Sequence, residues 1–421
     1  MFVLYEVLLY LVFLITLPFF LIAGLLRGKY LSNFPERLGF YRSRKGQHDL
    51  WIHAVSVGEA IAARPVVTEI LSLLPETSIV MTTTTITGQA QARRLYPDAT
   101  ITYFPFDFSF AVRRFLDHHE PRVFATMETE IWPNVTRIAR TRKLKLILAN
   151  GRISDRSFPR YRAMRSVVGR VLRNYDRILA REQVDRDRFI AIGAPASAVE
   201  VTGNVKFDYE PDSSPLELAP QIESLISGRK LLILGSTMEG EDEALLPLVE
   251  AFLHERNAFV VIAPRKAERF EQVAALLATT SLRFVRRTGV MHAAAVRGAT
   301  PNVLLLDTFG ELARMYRYAT VAFVGGSIAP FGGHNPIEPA AAGVPVCFGP
   351  SMSNFREIAT AFLDADAAEE VASPGEVIEF AARMFDDEAE QRAWGERARQ
   401  VVAKNRGASE RTARRIVELL T

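Results

Sequence analysis

Residues Phe323 to Pro350 read FVGGSIAPFGGHNPIEPAAAGVPVCFGP, and this stretch decides the fold class. An apolar run leads into Gly325-Gly326, and His334–Glu338 is typical of a helix start, with Asn335 as a candidate N-cap and a proline after it at a position where its missing N–H costs nothing. Gly343 is expected to end this helix ahead of another apolar strand. A strand, a glycine-rich turn and a helix N-terminus together predict an anion site built from backbone N–H groups. The alternative is a tight turn with a structural role only.

Length and composition favour a globular protein of two domains. The chain has 421 residues, which fits two domains of about 100–200 residues each. Its 48% hydrophobic and 24% charged residues are ordinary for a folded protein. Cys347 is the single cysteine, which excludes an internal disulfide and a multi-cysteine metal site, and the seven histidines contain no HExxH pair. A metal site built by the protein is therefore not expected.

The first residues predict a membrane anchor. Val7–Leu26 is a run of 20 residues without a charge, which matches the ~20 residues that cross a bilayer core. Basic residues follow the run: Arg27, Lys29, Arg37, Arg42, Arg44 and Lys45. By the positive-inside rule, the rest of the chain is expected on the cytoplasmic side. The alternatives are a cleaved signal peptide, which would need basic residues before the run, and a hydrophobic helix that enters the membrane without crossing it.

From Leu50 onwards, apolar strands alternate with amphipathic helical segments, which is typical of parallel sheets covered by helices on both faces. In the first half the predicted strands are Leu50–Ser56, Ser78–Thr84, Ile101–Phe106, Arg122–Met127, Leu144–Ala149, Arg177–Ala180 and Val199–Val201. In the second half they are Lys230–Leu234, Phe259–Ala263, Arg283–Val285, Asn302–Leu306, Val321–Val324 and Val344–Phe348. The pattern therefore predicts an α/β protein with two doubly wound, Rossmann-like domains.

The same pattern predicts the domain boundaries. We expect the anchor at 1–27, the first Rossmann-like domain at 28–208, a linker at 209–228 that contains YEPDSSPLEL, and the second Rossmann-like domain at 229–421. Helical sequence is predicted from about Ala367 to the end, and the last helix could pack back on the first domain. Ligands of such sheets bind beyond the carboxyl ends of the strands, so a cleft between the domains is expected.

Four acidic or basic residues of the first half follow strands and are candidates for chemistry. Glu59 follows the first strand, where a carboxylate suits a general base that takes a proton from a hydroxyl. Its alternative role is to complement the helix dipole. Glu128 and Glu130 lie at another strand end, and Lys206 follows a third, where a cation could neutralise a phosphate leaving group. Helix capping, pairing with arginines, or plain solvation are the alternatives for these residues.

The second half places further candidates at strand ends, which are expected to converge on one crevice. Arg265 suits a phosphate, and Glu338 suits a ribose diol. Neither a Walker A pattern nor GxGxxG occurs, which disfavours ATP hydrolysis and dinucleotide redox chemistry. Asp185-Arg186-Asp187 is the one triplet of the DxD type considered as a metal clamp, and we interpret it as a solvated helix face.

The first half also has a local basic excess. Between Arg137 and Arg188 there are 16 Lys or Arg residues and 5 Asp or Glu residues. Nucleic acid could explain the excess, but aromatic residues are not interleaved as stacking platforms. An anionic membrane surface or a phosphorylated lipid fits as well, and the apolar N-terminus favours it.

Eight blocks of the chain resemble the Kdo transferase family, enzymes of lipopolysaccharide synthesis that move 3-deoxy-D-manno-octulosonic acid (Kdo) from CMP-Kdo to a lipid A precursor. The blocks are ERLGFY at Glu36–Tyr41, HAVSVGE, METEIWPN, GNVKFD, GSTMEGE, PRKAERF, DTFGEL and the stretch FVGGSIAPFGGHNPIEPAAAGVPVCFGP. The resemblance implies the GT-B fold, inverting chemistry, and no required metal or other cofactor. It also implies CMP-Kdo and a phosphorylated lipid A precursor of the lipid IVA type as substrates, and a place on the cytoplasmic side of a bacterial inner membrane.

The resemblance also implies roles for particular residues. Glu59 matches the general base of the family, and Glu128 and Lys206 match positions that stabilise the transition state. The positions that would contact CMP are Pro264, Arg265, Phe309, Gly310, Glu311, Asn335, Pro336, Ile337 and Glu338. Met238 and Lys266 depart from the pattern, because related sequences commonly have histidine there. That departure puts details of substrate affinity in doubt, though not the reaction.

Three other functions stay open at this point. A GT-B transferase that uses a UDP-sugar would be distinguished by competition between CMP and UDP. An anchored, non-catalytic nucleotide-binding or scaffold protein is disfavoured by the presence of all three candidate catalytic residues. A nucleic-acid-binding protein would show tight binding that weakens steeply with salt.

Overall fold

The computed structural model describes residues 2–27, 33–41, 45–210, 214–290 and 300–421. The chain forms two compact units, Met1–Asp208 with Asn405–Thr421 and Tyr209–Lys404. Each unit contains one sheet of seven strands, and every strand pair is parallel. The predicted α/β class with two doubly wound sheets is confirmed.

The first unit alternates strands and helices. Its strands are β1 (Leu50–His53), β2 (Ile79–Thr83), β3 (Thr100–Tyr103), β4 (Val123–Met127), β5 (Lys145–Gly151), β6 (Arg177–Ala180) and β7 (Val199–Val201). Its helices are α1 (Phe2–Arg27), α2 (Phe34–Arg37), α3 (Val57–Leu73), α4 (Ile86–Leu95), α5 (Ser109–His119), α6 (Pro133–Thr141), α7 (Phe158–Ala163), α8 (Arg165–Leu172) and α9 (Gln183–Ala191). Short 3-10 helices lie at Ala196–Ala198 and Val205–Asp208.

The second unit repeats the alternation. Its strands are β8 (Lys230–Thr237), β9 (Ala258–Pro264), β10 (Phe284–Arg286), β11 (Val303–Leu305), β12 (Val321–Val324), β13 (Val346–Phe348) and β14 (Ala368–Glu370). Its helices are α10 (Ala219–Ile226), α11 (Glu241–Glu255), α12 (Phe270–Leu277), α13 (Leu312–Met315), α14 (Ile337–Ala341), α15 (Arg356–Leu363), α16 (Pro374–Asp386) and α17 (Glu388–Lys404). The last helix of the chain, α18 (Ala408–Leu420), belongs to the first unit.

The strand order of each sheet determines where a ligand site is expected. The first sheet has the order β3-β2-β1-β4-β5-β6-β7, and the second has the order β10-β11-β9-β8-β12-β13-β14. The direction of winding therefore reverses between β1 and β4 in the first sheet, and between β8 and β12 in the second. In open parallel sheets, ligands bind outside the carboxyl ends of the strands at such a reversal.

Burial explains why the strands were readable from the sequence. Every residue of β1, β2, β4, β9 and β12 is buried, since helices cover both faces of each sheet. Such strands appear in the sequence as continuous apolar runs rather than as alternating patterns. Trp51 is fully buried in β1 and packs on Phe115 and Phe124, with ring centroids 4.2 and 4.1 Å away.

Two parts of the sequence interpretation differ from the structure. Residues 368–370, predicted to be helical, form the edge strand β14, which pairs with β13. Ala-Glu-Glu has the composition of a helix, so pairing at the sheet edge overrides local propensity here. The segment predicted as a linker contains α10, whose Ile222 and Ile226 are buried in the core of the second unit.

The carboxylate of Asp208 holds the N-terminus of the last helix. Asp208 accepts hydrogen bonds from the backbone N–H groups of Gly407 and Ser409, both at 2.5 Å. These donors have no partner inside the helix, so Asp208 caps its N-terminus. Beyond the cap, Ala413 and Ile416 enter the core cluster that surrounds α3.

We predict that Asp208→Ala loosens α18 selectively. Loss of a charged cap costs about 1–2 kcal/mol, so amides of residues 408–420 should exchange with solvent roughly 5- to 30-fold faster. Hydrogen exchange followed by mass spectrometry measures this. Asp98→Ala, at an exposed aspartate, is the control, and equal exchange of α18 in both variants would refute the capping role.

Candidate active site

Glu59 lies in the first turn of α3, directly after β1. Its carboxylate folds back on the strand end, where Oε2 accepts from the Val55 N–H at 2.8 Å and Oε1 accepts from the Ser56 hydroxyl at 3.3 Å. Burial raises the pKa of Glu59 to about 7, and the negative charges of Glu128 and Glu130 add to the rise. A carboxyl group with this pKa exchanges a proton readily near neutral pH, as a general base must.

Glu128 follows β4, the strand beside β1 at the winding reversal. It has a left-handed backbone, with φ of 58°, which is unusual for a glutamate and typical of functional positions. Its Oε1 accepts from Arg181 Nη2 at 2.6 Å and lies 3.2 Å from Lys206 Nζ. Burial alone would raise the pKa of Glu128, but the charges of Arg181 and Lys206 outweigh burial and lower it to about 2. Glu128 is therefore permanently ionised.

The sequence interpretation missed Arg181, which organises this cluster. Arg181 is 3% exposed and follows β6 directly. Besides its contact with Glu128, its Nε donates to the backbone oxygen of Asn150 at 3.1 Å. Asn150 Oδ1 in turn accepts from the N–H of Val205, the residue before Lys206, at 3.2 Å. The signal in the sequence was a charged residue immediately after an apolar strand, β6.

Glu130 and its neighbour Glu128 belong to one motif, but their pKa values are shifted in opposite directions. Burial, followed by the charge of Glu128, raises the pKa of Glu130 to about 7. Pairing with an arginine was an alternative role for Glu128 and Glu130, and Glu128 does pair with one. Its partner is Arg181, which follows β6 and is not adjacent in the sequence. Asp185 was interpreted as part of a solvated face, but it is buried and accepts from the Ile153 N–H at 2.8 Å.

In the second unit, the loop that contains Gly325-Gly326 is closed by the protein's own carboxylate. Glu241, at the start of α11, accepts from the N–H groups of Gly326, Ser327 and Ile328 at 2.7, 3.0 and 3.0 Å. Glu241 is 2% exposed. The sequence predicted that these N–H groups bind an external anion, and this part of the prediction is wrong. A Cβ atom at Gly325 would lie 2.9 Å from Glu241 Oε2 and 2.7 Å from the Ser236 oxygen, so the close approach requires glycine.

The helix after this loop is shorter than expected. It covers Ile337–Ala341, and Asn335 precedes it with an Oδ1 that accepts from the Ile337 N–H at 3.1 Å. Asn335 Nδ2 donates to Glu338 Oε1 at 3.3 Å. Burial raises the pKa of Glu338, while Asn335 and the charge of Arg265 act in the opposite direction. The charge of Arg265 therefore acts on Glu338, and the common site expected for the two residues stays a prediction.

The other residues expected to contact CMP differ in how exposed they are. Phe309 is 61% exposed, and its ring centroid lies 5.4 Å from that of Phe270. Glu311 is buried and its Oε1 lies 2.7 Å from Arg287 Nη2, so its carboxylate is already paired. Gly310, between them, has φ of 84°, a backbone conformation that glycine adopts readily. Pro264, Pro336 and Ile337 are buried.

The two residues that depart from the family pattern lie in different surroundings. Met238 is buried, and its N–H donates to Glu241 Oε2 at 3.0 Å. Lys266 is exposed, and its Nζ lies 5.8 Å from the centroid of the Phe331 ring. Within the part of the chain that the structure describes, no group of three or more His, Cys, Asp or Glu residues is arranged to hold a metal ion.

Comparison with known proteins identifies the family. Residues 32–209 match the profile described as 3-deoxy-D-manno-octulosonic-acid transferase (kdotransferase). A 3-deoxy-D-manno-octulosonic acid transferase of Haemophilus influenzae is 34% identical over 392 residues, which cover 91% of this chain and 90% of that protein. The chain belongs to the Kdo transferase family. The enzyme of the same name from Bordetella pertussis is 35% identical over 374 residues, 86% of this chain and 85% of that protein.

A solved structure agrees with the GT-B fold of this Kdo transferase. The crystal structure of a glycosyltransferase from Rickettsia africae aligns with a TM-score of 0.57 at 12% identity and covers 90% of this chain and 98% of that one. At this identity the likeness concerns the fold alone. The predicted GT-B fold is confirmed, and the glycosyltransferase class follows from the family.

We predict that Arg181 and Glu128 are energetically coupled. Arg181→Met removes a buried cation from the half-buried carboxylate of Glu128, so the free energy of unfolding of the first unit should fall by about 3 kcal/mol. In the double variant with Glu128→Gln, the carboxylate that would lack its closest cation is removed as well, so the loss should be about 1–3 kcal/mol smaller than the sum of the single losses. Urea unfolding in a Trp394→Phe background measures this, because the remaining tryptophans, Trp51 and Trp132, both lie in the first unit.

The control for this cycle is the exposed pair of Arg142 and Asp117, whose closest atoms lie 2.8 Å apart. Exposed pairs contribute about 0–1 kcal/mol, so Arg142→Met should have a small effect. Strictly additive losses at Arg181 and Glu128 would show that the two side chains are not coupled.

Proposed function

We propose that this chain transfers Kdo from CMP-Kdo to a phosphorylated lipid A precursor of the lipid IVA type, in lipopolysaccharide core synthesis. The observation that carries the proposal is a pair of carboxyl groups at neighbouring strand ends with opposite pKa shifts. The pKa of Glu59 is raised to about 7, and that of Glu128 is lowered to about 2. Carboxyl groups whose pKa values are driven apart take different roles, one that exchanges a proton and one that stays charged.

In the proposed reaction, Glu59 is the general base. Its carboxylate takes the proton of a primary hydroxyl on the lipid acceptor, and the oxygen attacks the anomeric carbon of Kdo from the face opposite CMP. The bond from that carbon to the CMP phosphate breaks, and CMP leaves with the electron pair. One base without a protein nucleophile gives inversion in a single displacement, so no covalent sugar–enzyme intermediate forms.

Glu128 and Lys206 would stabilise charge in the transition state. Departure of CMP leaves positive charge on the sugar ring. An ionised carboxylate stabilises that charge. Glu128 is shared by Arg181 and Lys206, so this group of three side chains carries one net positive charge. That excess suits a negative phosphate or the carboxylate of the sugar. Arg181 therefore enters the proposal as the residue that holds Glu128 in place.

The second unit would bind CMP. Arg265 is exposed at the end of β9 and suits the phosphate, while Glu338 suits the ribose diol and is oriented by Asn335. Glu311 is already paired with Arg287, so we assign its contribution, and that of the buried Ile337, to shape and backbone contacts. The remaining proposed contacts are Pro264, Phe309, Gly310 and Pro336. No metal or other cofactor is expected to be required.

We place the enzyme on the cytoplasmic side of a bacterial inner membrane, attached by α1. Within the described residues, Phe2–Phe19 is long and apolar enough to cross a membrane, with a mean hydropathy of 2.2. The basic segment Arg137–Arg188 would attract the phosphorylated acceptor and the anionic lipid surface. Nucleic acid is not a proposed partner.

A turnover assay tests the proposed reaction. Detergent-solubilised protein, with CMP-Kdo generated in the reaction and a tetra-acylated, bis-phosphorylated lipid A precursor, should give a product heavier by one or more Kdo units in the mass spectrum. Competition with CMP but not with UDP should slow the reaction. Folded protein that binds CMP without any mass shift would contradict the acceptor assignment, and inhibition by UDP would contradict the donor.

Variants of Glu59 test its role as the base. Glu59→Gln should bind CMP normally but lower kcat by about 10²- to 10⁴-fold, whereas Glu76→Gln, at an exposed glutamate, should change nothing. Because the base must be ionised, kcat of the native enzyme should fall as the pH drops below about 7. Glu128→Gln removes a negative neighbour, which should shift this limb of the profile to lower pH. Near-normal turnover of Glu59→Gln would refute the assignment.

A further inference from the structure

The N-terminal helix α1 is attached lengthwise to the first unit. Near its start, the Tyr5 hydroxyl donates to Asp107 Oδ2 at 2.8 Å, and Glu6 Oε1 accepts from the Ser109 N–H at 3.0 Å. The Glu6 carboxylate also accepts from the Ser109 hydroxyl. These polar contacts join the first two turns of α1 to the segment between β3 and α5, so the beginning of the helix lies against the folded body.

Aromatic contacts continue this attachment along the helix. Tyr10 stacks on Phe108 with a centroid distance of 4.8 Å, and the Phe13 ring lies 5.1 Å from that of Phe108 and 5.9 Å from that of Phe106. Among residues 2–19 of α1, the half-buried positions are 2, 5, 6, 9, 13, 16 and 17, which recur at helical spacing and form one stripe. From residue 2 to residue 17 an α-helix rises about 22 Å.

This geometry is incompatible with a helix that crosses the bilayer ahead of a cytoplasmic body. In such a helix, Tyr5 and Glu6 would lie near the far surface, separated from the body by most of a hydrocarbon core of about 30 Å. The contacts with Asp107 and Ser109 would then be impossible. The sequence favoured a crossing helix over Val7–Leu26, and the structure favours the alternative of a helix that enters the membrane without crossing it.

The opposite face of α1 is apolar and exposed. It presents Val3, Leu4, Val7, Leu8, Leu11, Val12, Leu14, Ile15 and Phe19. On the body, Phe40 is 55% exposed, and the Arg114 guanidinium lies 4.3 Å from the centroid of its ring. Arg113 and Arg114 are both exposed on α5, whose first residue, Ser109, contacts Glu6 of α1. Apolar side chains bordered by aromatic rings and arginines match the chemistry of an anionic membrane interface.

We propose that α1 lies along the first unit and inserts its outer face into one leaflet, so that the N-terminus stays on the same side of the membrane as the rest of the chain. The occupant of the apolar face is the lipid leaflet, and the neighbouring arginines contact anionic headgroups. The alternative occupant is the same face of a second copy of the chain.

The location of the N-terminus in the full-length chain tests this proposal. A short epitope with a protease site is added before Met1 in one version and after Thr421 in the other, and the bacterial host is converted to spheroplasts or inverted vesicles. Both epitopes should resist external protease in spheroplasts and be cleaved in inverted vesicles. Cleavage of the N-terminal epitope alone in spheroplasts would overturn the proposal in favour of a crossing helix.

A matched pair of variants tests the contact with lipid. Leu8 in α1 is 52% exposed, and Leu73 in α3 is 43% exposed. Leu8→Glu should weaken binding to vesicles of phosphatidylglycerol and phosphatidylethanolamine by at least about tenfold, while Leu73→Glu should bind like the native protein. Thermal unfolding in detergent verifies that both variants fold. Native-like binding by Leu8→Glu would overturn the lipid contact, and a native dimer that Leu8→Glu converts to a monomer would assign the face to a second copy.

Discussion

The ion pair between Arg181 and Glu128 is the constraint on which the candidate active site depends. It joins the ends of β4 and β6 across β5, and through Asn150 it reaches the backbone that carries Lys206. A buried arginine is costly to desolvate, and it is stable here because it is paired and hydrogen-bonded. Together with Lys206, Arg181 keeps Glu128 ionised, and the ionised Glu128 adds to the rise that burial causes in the pKa of Glu59. Arg181 thus contributes to the protonation state of two carboxyl groups.

The two units place a carboxylate at the same topological point with opposite results. In the first unit, Glu59 follows the central strand β1 and keeps a pKa suited to proton transfer. In the second, Glu241 follows the central strand β8 and is held by backbone N–H groups of the loop after β12. The reversal of winding therefore predicts where polar side chains lie. Whether such a carboxylate is available for proton transfer or has a structural role depends on the hydrogen-bond donors around it.

The sequence was informative where burial is uniform. Strands such as β1 and β4 are buried on both faces, so continuous apolar runs located them, and the residues after these runs included Glu59 and Glu128. The pairing of Arg181 with Glu128, and that of Glu241 with the loop after β12, could not be predicted from apolar runs. Both pairings depend on tertiary contacts between residues that are distant in the sequence. The edge strand β14 was missed for a related reason, since three residues with helical composition become a strand through pairing alone. The position of α1 along the first unit could not be predicted from the sequence either. The length of an apolar segment shows that a helix can cross a membrane, but it does not show that the helix crosses.

The internal carboxylate of Glu241 has a thermodynamic consequence for the loop that it closes. Loops that bind anions through backbone N–H groups often become ordered only when the ligand arrives, and the lost conformational entropy weakens binding. Here the N–H groups of Gly326, Ser327 and Ile328 are satisfied before any ligand is present. A ligand that contacts this loop meets a backbone that is already ordered, so its binding carries little entropic penalty from the loop.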